Sequence, residues 1–511
     1  MLARVKSLVV AGIDAREVDV EIDVAAGLPG FSLVGLPDEA IRESRDRVKS
    51  AIKNSGFEFL NRKITVNLAP ADLKKEGPSF DLPIAVGLLT AFGYLKQEDI
   101  DGRVFCGELS LDGSVRPING ILPMVISMKQ SSQKSIIIPF LNGREASIVK
   151  GVDIYCVKTL AELTAYLKNE IQLEPVFCSE KDFISKDNLD ELDFKDVKGQ
   201  SHVKRGLEVA AAGGHNVLLI GPPGSGKTML AKRIPSIVPE MVFDEILETT
   251  KIYSVAGQLI NENAIMSTRP FRAPHHTISD SALVGGGTHP KPGEISLAHN
   301  GILFLDELPE FKRNVLEALR QPIEEAKITV SRVSSSYTYP AKFMLITAMN
   351  PCPCGYFTDP KKACHCSPTQ IQRYLSKVSG PLLDRIDIHI EVPAVRYSEL
   401  SSESEAESSE EIRKRVNKAR DIQTNRYKKE KLLTNSQLKS KKTRQHCKVD
   451  DSGKELLKYA IVELGLSARA YDKILKVSRT IADLEGAELI KAEHVSEAIG
   501  YRSLDRNIWL Y

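Results

Sequence analysis

No apolar run in this 511-residue chain approaches the ~18 residues that a membrane-spanning helix requires, so no membrane partner is expected. The stretch M-L-A-R-V-K-S-L-V-V-A-G passes at once into charged, alternating sequence rather than a secretory leader, and the expected location is cytoplasmic. An excess of one charge is also missing. Lys and Arg number 69 against 67 Asp and Glu, so any surface for nucleic acid has to be built locally. Cysteine is scarce and uneven: four of the eight fall between Cys352 and Cys366, while Cys106, Cys156, Cys178 and Cys447 are scattered. That distribution argues against a disulfide framework and for a reducing compartment with one metal site.

What is present divides into several units, because one core does not extend over so long a chain. The sequence predicts an α/β domain over 1–172, a polar linker over 173–195, a nucleotide-binding core over 196–395, a Ser/Glu-rich and then basic connector over 396–450, and a helical domain over 451–511. In the first domain, residues 18–24 alternate with the period of a half-buried strand. Pro37 opens a helix with Ala40, Ile41, Val48, Ala51 and Ile52 on one face. Strands follow at 64–68 and 135–139, a buried helix at 80–91, and a turn at Asp112-Gly113.

The chemistry is concentrated in 215–228, H-N-V-L-L-I-G-P-P-G-S-G-K-T. Residues 217–220 read as a buried strand feeding a loop of Gly221, Pro222, Pro223, Gly224, Ser225 and Gly226, whose successive N–H groups face one anion. Lys227 reaches the β- and γ-phosphates and the Thr228 hydroxyl ligates Mg²⁺, so ATP and Mg²⁺ are the expected cofactors. The run G-I-L-F-L-D-E at 301–307 is a second strand, delivering Asp306 to the Mg²⁺ and Glu307 to the attacking water. A third, at 343–348, leads to Asn350, a polar tip able to hold that water. In G-P-L-L-D-R-I-D-I, Arg385 is placed either as an arginine finger completing a neighbouring subunit's site or as a salt-bridged surface residue.

The segment C-P-C-G-Y-F-T-D-P-K-K-A-C-H-C contains two C-x-C pairs. Cys352, Cys354, Cys364 and Cys366 suit a tetrahedral structural Zn²⁺ site, with reactive or buried thiols as the alternative. His275 and His276, read as neighbours on a strand, point to opposite faces, which favours pore or nucleotide-sensing contacts over a shared metal. The Lys-rich stretch 428–448 fits either attraction to a DNA backbone or a solvated face.

The segment E-G-P-S-F-D-L-P at 76–83 resembles the nucleophile segment of the Lon-type proteolytic fold. Met124 stands where the activating lysine aligns, and a thioether cannot take a proton from Ser79. The resemblance therefore implies a Lon-like or ribosomal-S5-like scaffold without a protease dyad, with Ser79 as a helix N-cap.

Together, G-P-P-G-S-G-K-T, F-L-D-E, the Asn-tipped strand and L-L-D-R-I-D resemble an AAA+ ATPase of the magnesium-chelatase and minichromosome-maintenance branch. The stretches G-L-P-G-F-S-L-V-G-L-P-D-E, V-N-L-A-P-A-D-L-K-K-E-G-P-S-F-D-L-P, R-P-F-R-A-P-H-H-T-I-S and L-S-A-R-A-Y-D-K-I-L-K-V-S-R-T-I-A-D-L are similar to the YifB/ComM group within it. That resemblance runs from residue 1 to 502. It implies an α/β protein with a Lon-like N-terminal domain, a P-loop AAA+ core on a parallel sheet and a C-terminal helical lid. It further implies a homo-oligomeric, hexameric ring acting on single-stranded or branched DNA, with recombination proteins as partners and branch migration as an activity of some members. Arg469 resembles the second sensor arginine of these ATPases. The alternating stretch 326–339 resembles a pore hairpin, which makes Lys327 and Arg332 candidates for DNA phosphate contact. A chelatase-type motor would need a segment rich in D-x-S-x-S, which this sequence lacks. A Lon-like ATP-dependent protease is the other rival.

Overall fold

Strict alternation in D-A-R-E-V-D-V-E-I-D-V-A gives the strand Asp14–Ala25, with Val18, Val20, Ile22 and Val24 buried between solvent-facing acids. It pairs antiparallel with Leu2–Ala11 and with Lys63–Ala69 at the centre of a seven-stranded mixed sheet. The computed structural model describes residues 1–75, 77–177, 192–259, 264–287, 291–331, 336–357, 359, 362–394, 406–464 and 467–502. They fall into two units: Met1–Ser185 with Phe243–Ser267 and Ser331–Tyr339, and Lys186–Val242 with Thr268–Val330 and Pro340–Tyr511.

In the first unit the sheet runs Gly30–Val34, Lys63–Ala69, Asp14–Ala25, Leu2–Ala11, Arg103–Phe105, Ser135–Pro139, Asp153–Val157. Every residue of the helix Asp81–Ala91 is buried, as its nearly continuous apolar sequence predicts. Its one carboxylate, Asp81, accepts from Arg47 Nε at 2.7 Å, and burial still pushes it up to about 6.

Two expectations are corrected here. Ser79 is not an N-cap: it lies inside the 3-10 turn Pro78–Phe80, and Phe80 caps the helix without a side-chain bond. The helix expected from Pro37 is instead two helices, Glu39–Arg42, capped by Asp38, and Ser44–Asn54. The helix Phe243–Ala256 also belongs to this unit, held where Glu145 accepts from the Ser254 hydroxyl and from Leu122 N–H at 3.0 Å.

The second unit is built on a five-stranded parallel sheet in the order Phe271–Arg272, Ile302–Leu305, Met344–Met349, Val217–Ile220, Ile388–Glu391. The strands V-L-L-I, I-L-F-L and M-L-I-T-A-M are buried at every position, the mark of a sheet covered on both faces. Because Val217–Ile220 lies between two strands that come later in the chain, its carboxyl end opens on a topological switch point, where parallel sheets bind ligands.

The C-terminal part is helical: Ser409–Tyr427, Ser440–His446, Asp451–Leu464, Ala468–Glu485 and Ala492–Gly500. Asp483, fully buried, ties these helices together by accepting from Arg426 Nη1 (3.0 Å), Arg479 Nε (3.1 Å) and Asn435 Nδ2 (2.9 Å). Lys473 of the same lid helix pairs with Asp387, just before the edge strand, at 3.0 Å. Of the Lys-rich stretch, Lys442 and His446 are each paired with Glu430 at 3.2 Å.

Candidate nucleotide site

Beyond Ile220 the chain turns through Gly224 (φ 74°) and Gly226 (φ 90°) and enters the helix Lys227–Arg233. The left-handed conformation at Gly226 is one that a side chain rarely adopts, and it lets the helix start at the lysine itself. Lys227 is only 8% exposed, and its Nζ donates to Gly221 O (2.8 Å), Pro222 O (2.9 Å) and Asn350 Oδ1 (3.2 Å). Burial draws its pKa down, against the attraction of Asp306. Gln200, buried in the D-V-K-G-Q segment, donates Nε2 to Ser225 O (2.9 Å) and Pro393 O (3.0 Å), fixing the loop from its far side.

The strand Ile302–Leu305 ends at Asp306, and the Thr228 hydroxyl donates to its Oδ2 at 2.5 Å. One hydroxyl and one carboxylate, both oxygen donors, thus meet at the mouth of the loop, a donor set suited to Mg²⁺. Glu307 has a left-handed backbone (φ 53°), its side chain is 58% exposed, and Oε2 lies 3.2 Å from His276 Nδ1.

The two histidines overturn the strand expectation. They follow Pro274 outside the short strand Phe271–Arg272, and their rings face one another at 4.1 Å between centroids, with Phe311 edge-on to His276. Arg385 is 9% exposed, ion-paired with Glu324 and donating to Pro381 O. Arg469 is exposed in the first turn of Ala468–Glu485. Lys327 is exposed at the head of the strand Lys327–Ser331. Arg332 lies outside the described residues.

The four cysteines converge. Cys352 Sγ is 3.3 Å from Cys354 Sγ and 3.7 Å from Cys364 Sγ, and Cys354 and Cys364 are 3.6 Å apart. Tetrahedral Zn–S bonds of about 2.3 Å place sulfurs about 3.8 Å apart, so this spacing fits an ion and is far too long for disulfides. Backbone N–H groups aim at the sulfurs, Gly355 at Cys352 (3.2 Å) and Cys354 at Cys366 (3.4 Å), as they do around thiolates. Burial works against the Cys354 thiolate, yet N–H groups of Tyr356 and His365 bring that thiol down to about 6.

Comparison with known proteins agrees with this arrangement. The profile described as magnesium chelatase, subunit ChlI, matches residues 193–400, that of subunit ChlI of Mg-chelatase 20–142, and that of the ChlI C-terminal region 406–502. Competence protein ComM of Haemophilus influenzae is 46% identical over 510 residues, covering 99% of this chain and 98% of its own. The protein YifB of Escherichia coli is 44% identical over 499 residues, 97% and 96% of the two chains.

The chain belongs to the YifB/ComM family of magnesium-chelatase-like proteins.

Its α/β architecture is accordingly an AAA+ core on a parallel sheet, a Lon-like N-terminal region and a helical C-terminal region. Lon protease 2 of Bacillus subtilis is 30% identical over 164 residues, 29% of each chain. Membership of this ATPase family makes ATP and Mg²⁺ the cofactors that the loop, Thr228 and Asp306 fit. Among the described residues no helix is long and apolar enough to cross a membrane.

Proposed function

We propose that this chain hydrolyses ATP within a homo-oligomeric ring and uses the cycle to move along or remodel DNA in the cytoplasm, as a helicase or branch-migration motor. The observation that carries the ATPase half is the meeting of Thr228 and Asp306 at the mouth of a glycine loop whose lysine is bonded to Asn350. Loop N–H groups and Lys227 bind the phosphates; Thr228 and Asp306 would hold Mg²⁺, which supplies charge neutralisation on the phosphate oxygens. Glu307 takes the proton of the attacking water and Asn350 orients it. Arg385 of an adjacent subunit, released from Glu324, and Arg469 of the lid stabilise charge developing on the γ-phosphate. Cys352, Cys354, Cys364 and Cys366 hold structural Zn²⁺, and Lys327 and Arg332 contact DNA phosphates.

The DNA half is supported by similarity along the whole chain to a protein named for competence. Strand-displacement and three-strand branch-migration assays on the purified chain, with and without ATP, test it. Movement of labelled strands only with ATP is expected. ATP turnover with no effect on any DNA substrate would refute the motor reading and return the chelatase-type alternative. Casein cleavage that requires ATP would revive the Lon-like protease.

A further inference from the structure

The cysteine cluster grows directly from the nucleotide site. Cys352 follows Asn350 by two residues, and Asn350 Oδ1 holds the Lys227 ammonium. At the other end of the segment, Ser367 directly follows Cys366 and caps the helix Pro368–Leu375 through a reciprocal pair with Gln370 (3.3 and 2.9 Å). That helix carries the buried Tyr374, whose hydroxyl is pushed up by burial and drawn back by the backbone N–H of Asn350. The path Asn350, Cys352, the sulfur cluster, Cys366, helix and Tyr374 therefore closes on Asn350. A second contact reaches the phosphate loop itself: at Gly355 (φ 83°) a Cβ would lie 2.4 Å from Pro223 Cδ, so cluster backbone presses against the loop.

We infer that a thiophilic divalent ion of the Zn²⁺ class, held by the four cysteine sulfurs, braces Asn350 and the Pro223 side of the loop, so that ATP turnover depends on a metal remote from the phosphates. The inference rests on the ATPase reading above for its effect on turnover, but the brace itself is a property of the fold. Without the ion, the sulfurs of Cys352, Cys354 and Cys364, packed at 3.3 to 3.7 Å, and the Cys366 sulfur beside them have no common partner, and the brace is left to the connecting chain.

The test uses the purified full chain. Metal content is measured by plasma mass spectrometry, and the ion is stripped with phenanthroline before Mg²⁺ and ATP are supplied. Hydrogen exchange is followed in peptides spanning 344–355 and 217–228. About one ion per chain is expected. Stripping raises exchange in both peptides and lowers kcat roughly 10- to 100-fold, with KM close to the parent's. Tyr374→Phe, which keeps the packing and the cysteines, retains its metal but also lowers kcat and speeds exchange at Asn350. A chain purified without metal, or stripping that leaves exchange at 344–355 unchanged, overturns the brace. A parent that does not hydrolyse ATP yet shows metal-dependent exchange at Asn350 refutes the ATPase reading and upholds the brace.

Discussion

His276 Nδ1 and the Glu307 carboxylate lie 3.2 Å apart, so the group proposed to activate water already has a partner from the P-H-H segment. That segment sits where a parallel-sheet ATPase passes from one strand, Phe271–Arg272, towards the next, Ile302–Leu305. The pair gives the carboxylate at the end of the D-E strand a neighbour that adjacent sequence does not reveal.

Glu307→Gln keeps the shape of the side chain and its reach to His276 while removing its basicity. ATP still binds, and turnover falls by roughly 10²- to 10⁴-fold. Filter binding with labelled ATP beside a phosphate-release assay checks both halves; an unchanged rate removes Glu307 from its role.

Lys227→Ala removes a buried ammonium that already makes three hydrogen bonds around the loop. Loss of a charged donor of this kind costs about 3 kcal/mol of phosphate binding, which weakens nucleotide affinity roughly 100-fold. Titration with a fluorescent ATP analogue reads the outcome, and retained affinity counts against the phosphate cradle.

Arg385→Ala bears on assembly. In the isolated chain the guanidinium is committed to Glu324, whereas a finger must leave that carboxylate to reach a neighbouring site. The variant is expected to lose about 10³-fold in turnover. Mixing it with Lys227→Ala chains is expected to restore part of the activity, because one supplies the loop and the other the arginine. Full activity of Arg385→Ala alone rules out the finger.

Asp483→Asn concerns stability rather than chemistry. The carboxylate is fully buried and answers two arginines, one of them Arg479 at 1% exposure. Neutralising it strands both charges, at a cost of about 3 to 5 kcal/mol. Urea denaturation followed by circular dichroism shows the midpoint shift; a loss below about 1 kcal/mol means that the arginines find other partners.

The sequence alone determined the elements whose signals are local. Apolar runs of four to six residues fixed the central strands, the glycines placed the tight loop, and adjacent residues at strand ends specified Asp306 and Asn350, because period, φ preference and chain adjacency are all written within a few positions. Alternation likewise located the strand over 18–24, which extends over Asp14–Ala25. Tertiary structure decided what depends on residues far apart. The pairing of His276 with Glu307, of Arg385 with Glu324, of Asn350 with Tyr374, and of the helix Phe243–Ala256 with Glu145 are packing outcomes, which no sequence period encodes. Ser79 shows the same limit at short range: its Gly-Pro context reads as a helix start, yet a 3-10 turn takes up that residue and the helix begins two positions later.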